Sequence, residues 1–183
     1  MKKLIEFLLL SIFPLFLSCQ CPAVLDADKL VEKDGKKYCN GKLFSGTAYV
    51  FTNAKKIQIE SVYVNGLLNG IETTYYADGK KQSETHYQNG KFNGLWIEYY
   101  ESGQKKFATN YKDDYKLGLS THWYLNGQKE EEGNYDNCRE IGKWIYWYEN
   151  GQIKEEGSFE NAEKKGLWKE YSEDGKNVKE HSY

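Results

Sequence analysis

The side chains of this chain that could do chemistry are few, and their spacing is informative. His86, His122 and His181 are its three histidines, and each falls at a different phase of a 24-residue repeat, so they form no recurring metal comb. Cysteines stand at 19, 21, 39 and 138, with no C-x-x-C pair of the kind that holds zinc. No Ser, Cys or carboxylate recurs beside a histidine as a nucleophile and its base would. Glutamates are abundant, yet lysines are interspersed with them, as in Lys129-Glu130-Glu131-Glu132, which describes a solvated charged face. Glycosidase chemistry needs two carboxyls at a set separation in a cleft, and no pair is singled out. A calcium loop is equally unsupported, because the acidic residues form no D-x-[DN]-x-[DN]-G run. The expectation is a protein that is not an enzyme and uses no cofactor or metal.

Aromatic side chains are the better candidates for a site. In Trp144-Ile145-Tyr146-Trp147-Tyr148, strand alternation puts Trp144, Tyr146 and Tyr148 on one face. Trp and Tyr are favoured at the centres of protein–protein contacts, so this triplet is the first candidate for partner binding. Trp96, Tyr100 and Tyr124 extend it into other units, whose middle place is held by Thr74, Glu98, His122 or Glu170. The alternative is that the rings only stack on each other to stabilise a single-layer sheet. Leu95, Ile97, Tyr99, Leu119, Trp123, Ile145 and Trp147 alternate with these residues, and their apolar column predicts the packed side.

The elements that position these residues repeat. Gly46, Gly70, Gly94, Gly118, Gly142 and Gly166 are spaced 24 residues apart, and Gly79, Gly103, Gly127, Gly151 and Gly175 keep the same step. Tyr63, Tyr87, Tyr111, Tyr135, Phe159 and Tyr183 obey it too. A fixed period in this range marks a repeat architecture. Each unit reads as an apolar and aromatic strand, a turn such as Asp78-Gly79 or Asn150-Gly151, and a polar strand such as Gln128–Tyr135. Asp34-Gly35 and Asn40-Gly41 mark earlier hairpins. No proline occurs beyond Pro22, so every strand residue can donate to a ladder. The last unit is more polar, with Ser172 and Lys169 at places held elsewhere by Tyr and by Thr or Ile, as a capping unit requires.

The N-terminus has a different character. Met1-Lys2-Lys3 precedes a mostly apolar run from Phe7 to Leu17, too short for a membrane span of about 20 residues and of signal-peptide form. Residues 1–18 are thus expected to be a signal peptide, 19–27 a tether and 28–183 the repeat domain. Phe16-Leu17-Ser18-Cys19 resembles the lipobox of bacterial lipoproteins, which implies lipidation at Cys19 and a membrane anchor. Ordinary secretion and an uncleaved anchor are the alternatives. The formal net charge is −2 with both signs interspersed, which argues against nucleic acid as a partner. If each repeat adds two strands, Cys39 and Cys138 lie on the order of 38 Å apart and cannot pair. Cys21 can reach Cys39 through the tether, although free or buried thiols are the first expectation.

Gly-x-Trp-x-x-Tyr-Tyr-x-x-Gly-x-Lys, carried by Gly94–Lys105, resembles the bacterial MORN-repeat variant family, over about residues 28–183. Glu72 and Ser120 stand where the tryptophan of Trp96, Trp144 and Trp168 would be. The resemblance implies an all-β, elongated, curved, single-layer antiparallel sheet of about six stacked 24-residue β-hairpin repeats. It also implies a protein-binding lipoprotein of the cell envelope, facing the periplasm or the surface from the outer membrane. Some members of the family are antitoxin or immunity components, which points to a toxin or envelope protein as partner. The other expectation is a structural or adhesive scaffold that binds envelope polymer or proteins.

Overall fold

A computed structural model of the protein describes residues 21–183. The signal-like segment and Cys19 lie outside the described residues. The elements in chain order begin with β1 (Val24–Asp26), a 3-10 turn (Ala27–Lys29), β2 (Val31–Lys33), β3 (Lys36–Cys39) and β4 (Lys42–Leu43). The repeats follow as β5 (Gly46–Phe51), β6 (Ile57–Val64), β7 (Leu67–Tyr75), β8 (Lys81–Gln88), β9 (Lys91–Tyr99) and β10 (Lys105–Lys112). They continue as β11 (Tyr115–Trp123), β12 (Lys129–Asp136), β13 (Arg139–Trp147), β14 (Ile153–Glu160), β15 (Glu163–Tyr171) and β16 (Val178–Ser182). In the 13-stranded main sheet, spatial order is chain order: β1, then β5 to β16. The ribbon does not close, so β1 and β16 are its two edges. All-β stacking of 24-residue hairpins is therefore the architecture.

From Gly70 to Gly166 the leading glycine of each unit sits in a bulge. Opposite the two-residue step from Glu132 to Asn134, β13 runs four residues, from Ile145 to Ile141. Gly142, inside that excess, has φ +64°, a conformation that costs an ordinary L residue about 1–2 kcal/mol. The same mismatch recurs at Ser61/Tyr63, Thr85/Tyr87, Thr109/Tyr111 and Glu156/Ser158. Bulges bend the strand and add twist, so curvature is built into every unit at one phase.

Two kinds of turn alternate. The turns at Asp78-Gly79 and its equivalents are present, but as longer loops in which Tyr148 N–H donates to Gln152 O (2.8 Å) and Gly151 N–H to Tyr148 O (2.9 Å). Tight two-residue turns with positive φ at both positions lie at the opposite rim. They are Asn65-Gly66, Asn89-Gly90, Asp113-Asp114, Asn137-Cys138 and Asn161-Ala162. The last three lack glycine. Each is tied to the previous unit, as where Cys138 N–H donates to Lys116 O at 3.1 Å.

The N-terminal stretch departs from the expected tether. From Cys21 onward it is part of the fold: β1 pairs in parallel with β5, Val24 opposite Thr47. A disulfide joins Cys21 to Cys39, whose Cα atoms are 6.0 Å apart. This overturns the expectation of free thiols at both positions; Cys138 is free and exposed. Cys39, Phe44 and Ala48 form a small core, with Leu25, Leu30 and Tyr63 packed on it. The apolar groups between β1 and β5 supply what a loose tether lacks, a surface to dock against.

One face carries a row of carboxylates with hydroxyl and ammonium partners. Glu84 accepts from Tyr99 Oη (2.6 Å) and from Lys81 Nζ. Glu156 accepts from Tyr171 Oη (3.0 Å) and pairs with Lys143 Nζ (2.9 Å). The lysine in each case, then the tyrosine, holds the carboxyl below its ordinary value. Depressed carboxylates stabilise the fold fully above their unfolded value of 4.5, and the gain drains away as pH falls through the lower folded values. The urea midpoint is thus expected to hold from neutrality to about pH 4.5 and to fall below it. Glu84→Gln should flatten that acid limb, and an unchanged limb would remove Glu84 from the account.

Candidate binding face

The first residue to place is Trp144. Its indole lies flat over Gly133 of the neighbouring strand, so close that a methyl built on Gly133 would stand 2.1 Å from Trp144 Cδ2. Trp168 lies over Gly157 with the same 2.1 Å approach. Trp144 and Trp168 are 2% and 0% exposed. Around them the rings of Tyr135, Tyr146, Phe159 and Tyr183 stack or meet edge to face, with centroids 5.0–6.5 Å apart. A second ring group joins Tyr87, Phe92, Trp96, Phe107, Tyr111 and His122.

The expected packed side is only partly kept. Leu119 is 49% exposed while Leu95, Ile97, Tyr99, Trp123, Ile145 and Trp147 are half-buried, and the deepest side chains, Trp144 and Trp168, lie on the opposite face. Glycine decides it: without a Cβ at 133 or 157, a large ring can settle against the backbone, which no leucine on the other face is offered. Trp96 has Thr85 opposite it instead of glycine and is only half-buried.

Tyr100, Tyr124 and Tyr148 are placed as fasteners. Their hydroxyls donate to Trp123 O (2.7 Å), Trp147 O (2.7 Å) and Tyr171 O (2.8 Å), each one unit further on. Tyr124→Phe keeps the ring and removes one such bond, so a loss of about 1 kcal/mol is expected from urea denaturation. No loss would mean the bond is exchanged for water at no cost. Of the six aromatic candidates, the structure thus sinks Trp144, ties three tyrosines, and leaves Trp96 and Tyr146 half-buried in the ring groups.

Sequence reasoning missed what lies between the ring groups. Ser120 takes the tryptophan place there, opposite Gly133 and Thr109. Into the gap comes Lys116, whose Nζ is 4.8 Å from the Tyr135 ring centroid and 5.5 Å from that of Phe107. His122 Nε2 stands 3.6 Å from Glu131 Oε1, and Lys106 Nζ is 3.8 Å from Glu98 Oε2. Burial, with Lys116 and Lys106 adding repulsion, pushes the His122 imidazole down, and burial pushes the Glu131 carboxyl up. At 3.6 Å the two could form an ion pair, yet both shifts favour the neutral forms, and desolvation is the stronger influence. The signal that could have found this place was the Ser120 departure itself. Among the described residues, no three His, Cys, Asp or Glu side chains converge as a metal site, and no helix is long and apolar enough to cross a membrane.

The family comparison agrees with this architecture. The MORN repeat variant family matches four consecutive stretches, residues 68–89, 92–113, 116–137 and 140–161. Each begins in an apolar strand, crosses a longer loop and ends in a tight turn. No curated protein matches the chain. Among solved structures it is similar to the crystal structure of a GtfA/B complex bound to UDP and GlcNAc, at 12% identity and a TM-score of 0.24. That likeness covers 68% of this chain and 22% of the other, so the chain spans under a quarter of its length. By period, hairpins and these four matched stretches, residues 68–161 carry tandem repeats of the MORN-variant kind.

Proposed function

We propose that this protein is a non-enzymatic binding module of the cell envelope, anchored through lipid on Cys19, that holds a protein partner on its sheet. Within that role it acts as an immunity- or antitoxin-type neutraliser of a toxin. The observation that carries the reading is the open ribbon: one backbone frame repeats while the side chains it displays change from unit to unit. Such a surface is suited to recognising one partner through contacts of different chemistry. The Cys21–Cys39 disulfide fits the oxidising compartment in which a lipoprotein resides. The neutralising role rests on the resemblance to antitoxin members of the family, an argument by analogy.

Crosslinking in native envelopes followed by capture of this protein should recover one dominant protein. Deleting the gene should sensitise cells to a toxin encoded beside it, and normal survival would count against the neutralising role. Lipid label should be incorporated and then lost in Cys19→Ala; label retained in that variant rejects the anchor. A structural or adhesive scaffold is the second reading, favoured by the Tyr-to-carbonyl fasteners that repeat from unit to unit. It expects binding to fade gradually as units are trimmed, where a neutraliser loses it at once.

A further inference from the structure

Two adjoining cavities open on the tryptophan face where the aromatic layer is broken. One, of about 230 Å³, is lined by Trp96, Phe107, Lys116 and His122. Its neighbour, of about 410 Å³, is lined by Thr74, Tyr76, Gln82 and Ser83. Glu98 and Lys106 line both and so make their shared wall. Together they form a groove across β7 to β11, in the interior of the array. Every strand there is hydrogen-bonded on both sides, so a ligand cannot add as a strand and must be read by side chains alone.

Charge narrows the ligand. Lys106 faces Glu98, and Lys116 and His122 lie near Glu131, so cations and carboxylates alternate around the groove. Glu140 on β13 adds to the acidic side. A ligand of either sign would meet repulsion as well as attraction. His122 is held towards its neutral form, in which the ring offers one donor and one acceptor. Of the remaining polar groups, the Thr74 and Ser83 hydroxyls share a 2.7 Å hydrogen bond and the Tyr76 hydroxyl donates to Tyr99 O, so these keep acceptor capacity, while the Gln82 amide can give and accept. The half-buried ring of Trp96 stands beside them, propped on the buried Phe107, and the Thr109 hydroxyl, cross-strand partner of Trp96 and Ser120, is buried without a hydrogen-bond partner. Donors and acceptors of both kinds next to an aromatic ring, among charges of both signs, suit a molecule that carries hydroxyls around its edge and C–H groups on its faces.

We propose that this groove binds a neutral oligosaccharide, with a sugar face against Trp96 and its hydroxyls on Glu98, Lys106, Ser83 and His122. The site is distinct from the protein-binding role and does not depend on it. A carboxylate beside an ammonium can accept from one hydroxyl while the ammonium donates to its neighbour, a pairing that vicinal diols satisfy together.

The test is an NMR titration of the intact protein with N,N′-diacetylchitobiose, cellobiose and maltose, reading the indole N–H signals. The Trp96 signal should move with at least one disaccharide at millimolar concentrations, while Trp144 and Trp168, sunk in the ring layer, stay still. Glu98→Gln, which preserves shape, should weaken that binding about tenfold, the loss of one charge-assisted hydrogen bond. Unchanged circular dichroism in that variant would separate the effect from unfolding. An unmoved Trp96 signal with all three sugars would overturn the proposal. So would an equal shift with glycerol, or tighter binding of glucuronate than of any neutral sugar.

Discussion

Gly133→Ala should cost about 3 kcal/mol, the upper end for overpacking, because the new methyl would lie 2.1 Å from an indole carbon that is 2% exposed. The ring cannot step aside, since Tyr135, Tyr146 and Phe159 surround it. Trp144→Ser should cost about 3–5 kcal/mol in lost burial and cavity. The informative variant is Gly133→Thr with Trp144→Ser, which rebuilds the Thr109–Ser120 pairing found one unit earlier. It should be less unstable than the two single changes together by about 2 kcal/mol, within the range for residues in contact. Urea midpoints of the four proteins measure this, and strict additivity would end the claim that glycine and tryptophan form one unit of packing.

Opening the Cys21–Cys39 bond, by reduction or by Cys21→Ser, should be the second large effect, about 3 kcal/mol for a loop of this length. The loss should be local. Amide exchange in Val24–Asp26 and Lys36–Cys39 should accelerate, while amides of β13 and β14 stay protected. β1 makes only three residue pairings, with Val24, Leu25 and Asp26 opposite Thr47, Ala48 and Tyr49, so little else secures it. Equal loss at both ends of the ribbon would show that the bond acts on the whole array rather than its first unit.

Much of this fold could be read from the chain, and what could not has physical reasons. The period of Gly142 and its equivalents announced the stacking, because every unit needs a left-handed residue at the same bulge. The tight turns were harder, since Asn137-Cys138 and Asn161-Ala162 adopt positive φ without glycine, supported by N–H bonds to the previous unit. Alternation gave two faces, and the deepest burial falls on the one expected to meet a partner. Hydrophobicity alone favours the Leu119 column, but in a single layer the deepest side chains are those whose rings can lie against backbone. That depends on pairs such as Gly133 with Trp144 and Gly157 with Trp168, eleven residues apart, which a search for single residue types overlooks. The aromatic candidates were visible as residues. Their hydroxyl partners were not, because a tyrosine that ends on a carbonyl one unit away looks the same in sequence as one that faces water.

The housing of each large indole by its neighbour has a consequence for how such arrays lengthen. A tryptophan arrives on one hairpin, while the bare backbone it needs belongs to the hairpin before. Copying a whole period behind β12 or β14 would therefore give each new tryptophan a glycine to settle on, Gly133 or Gly157. Behind β8 or β10 it would meet the Cβ of Thr85 or Thr109. Lengthening by tryptophan units should thus be tolerated in one half of the ribbon and resisted in the other.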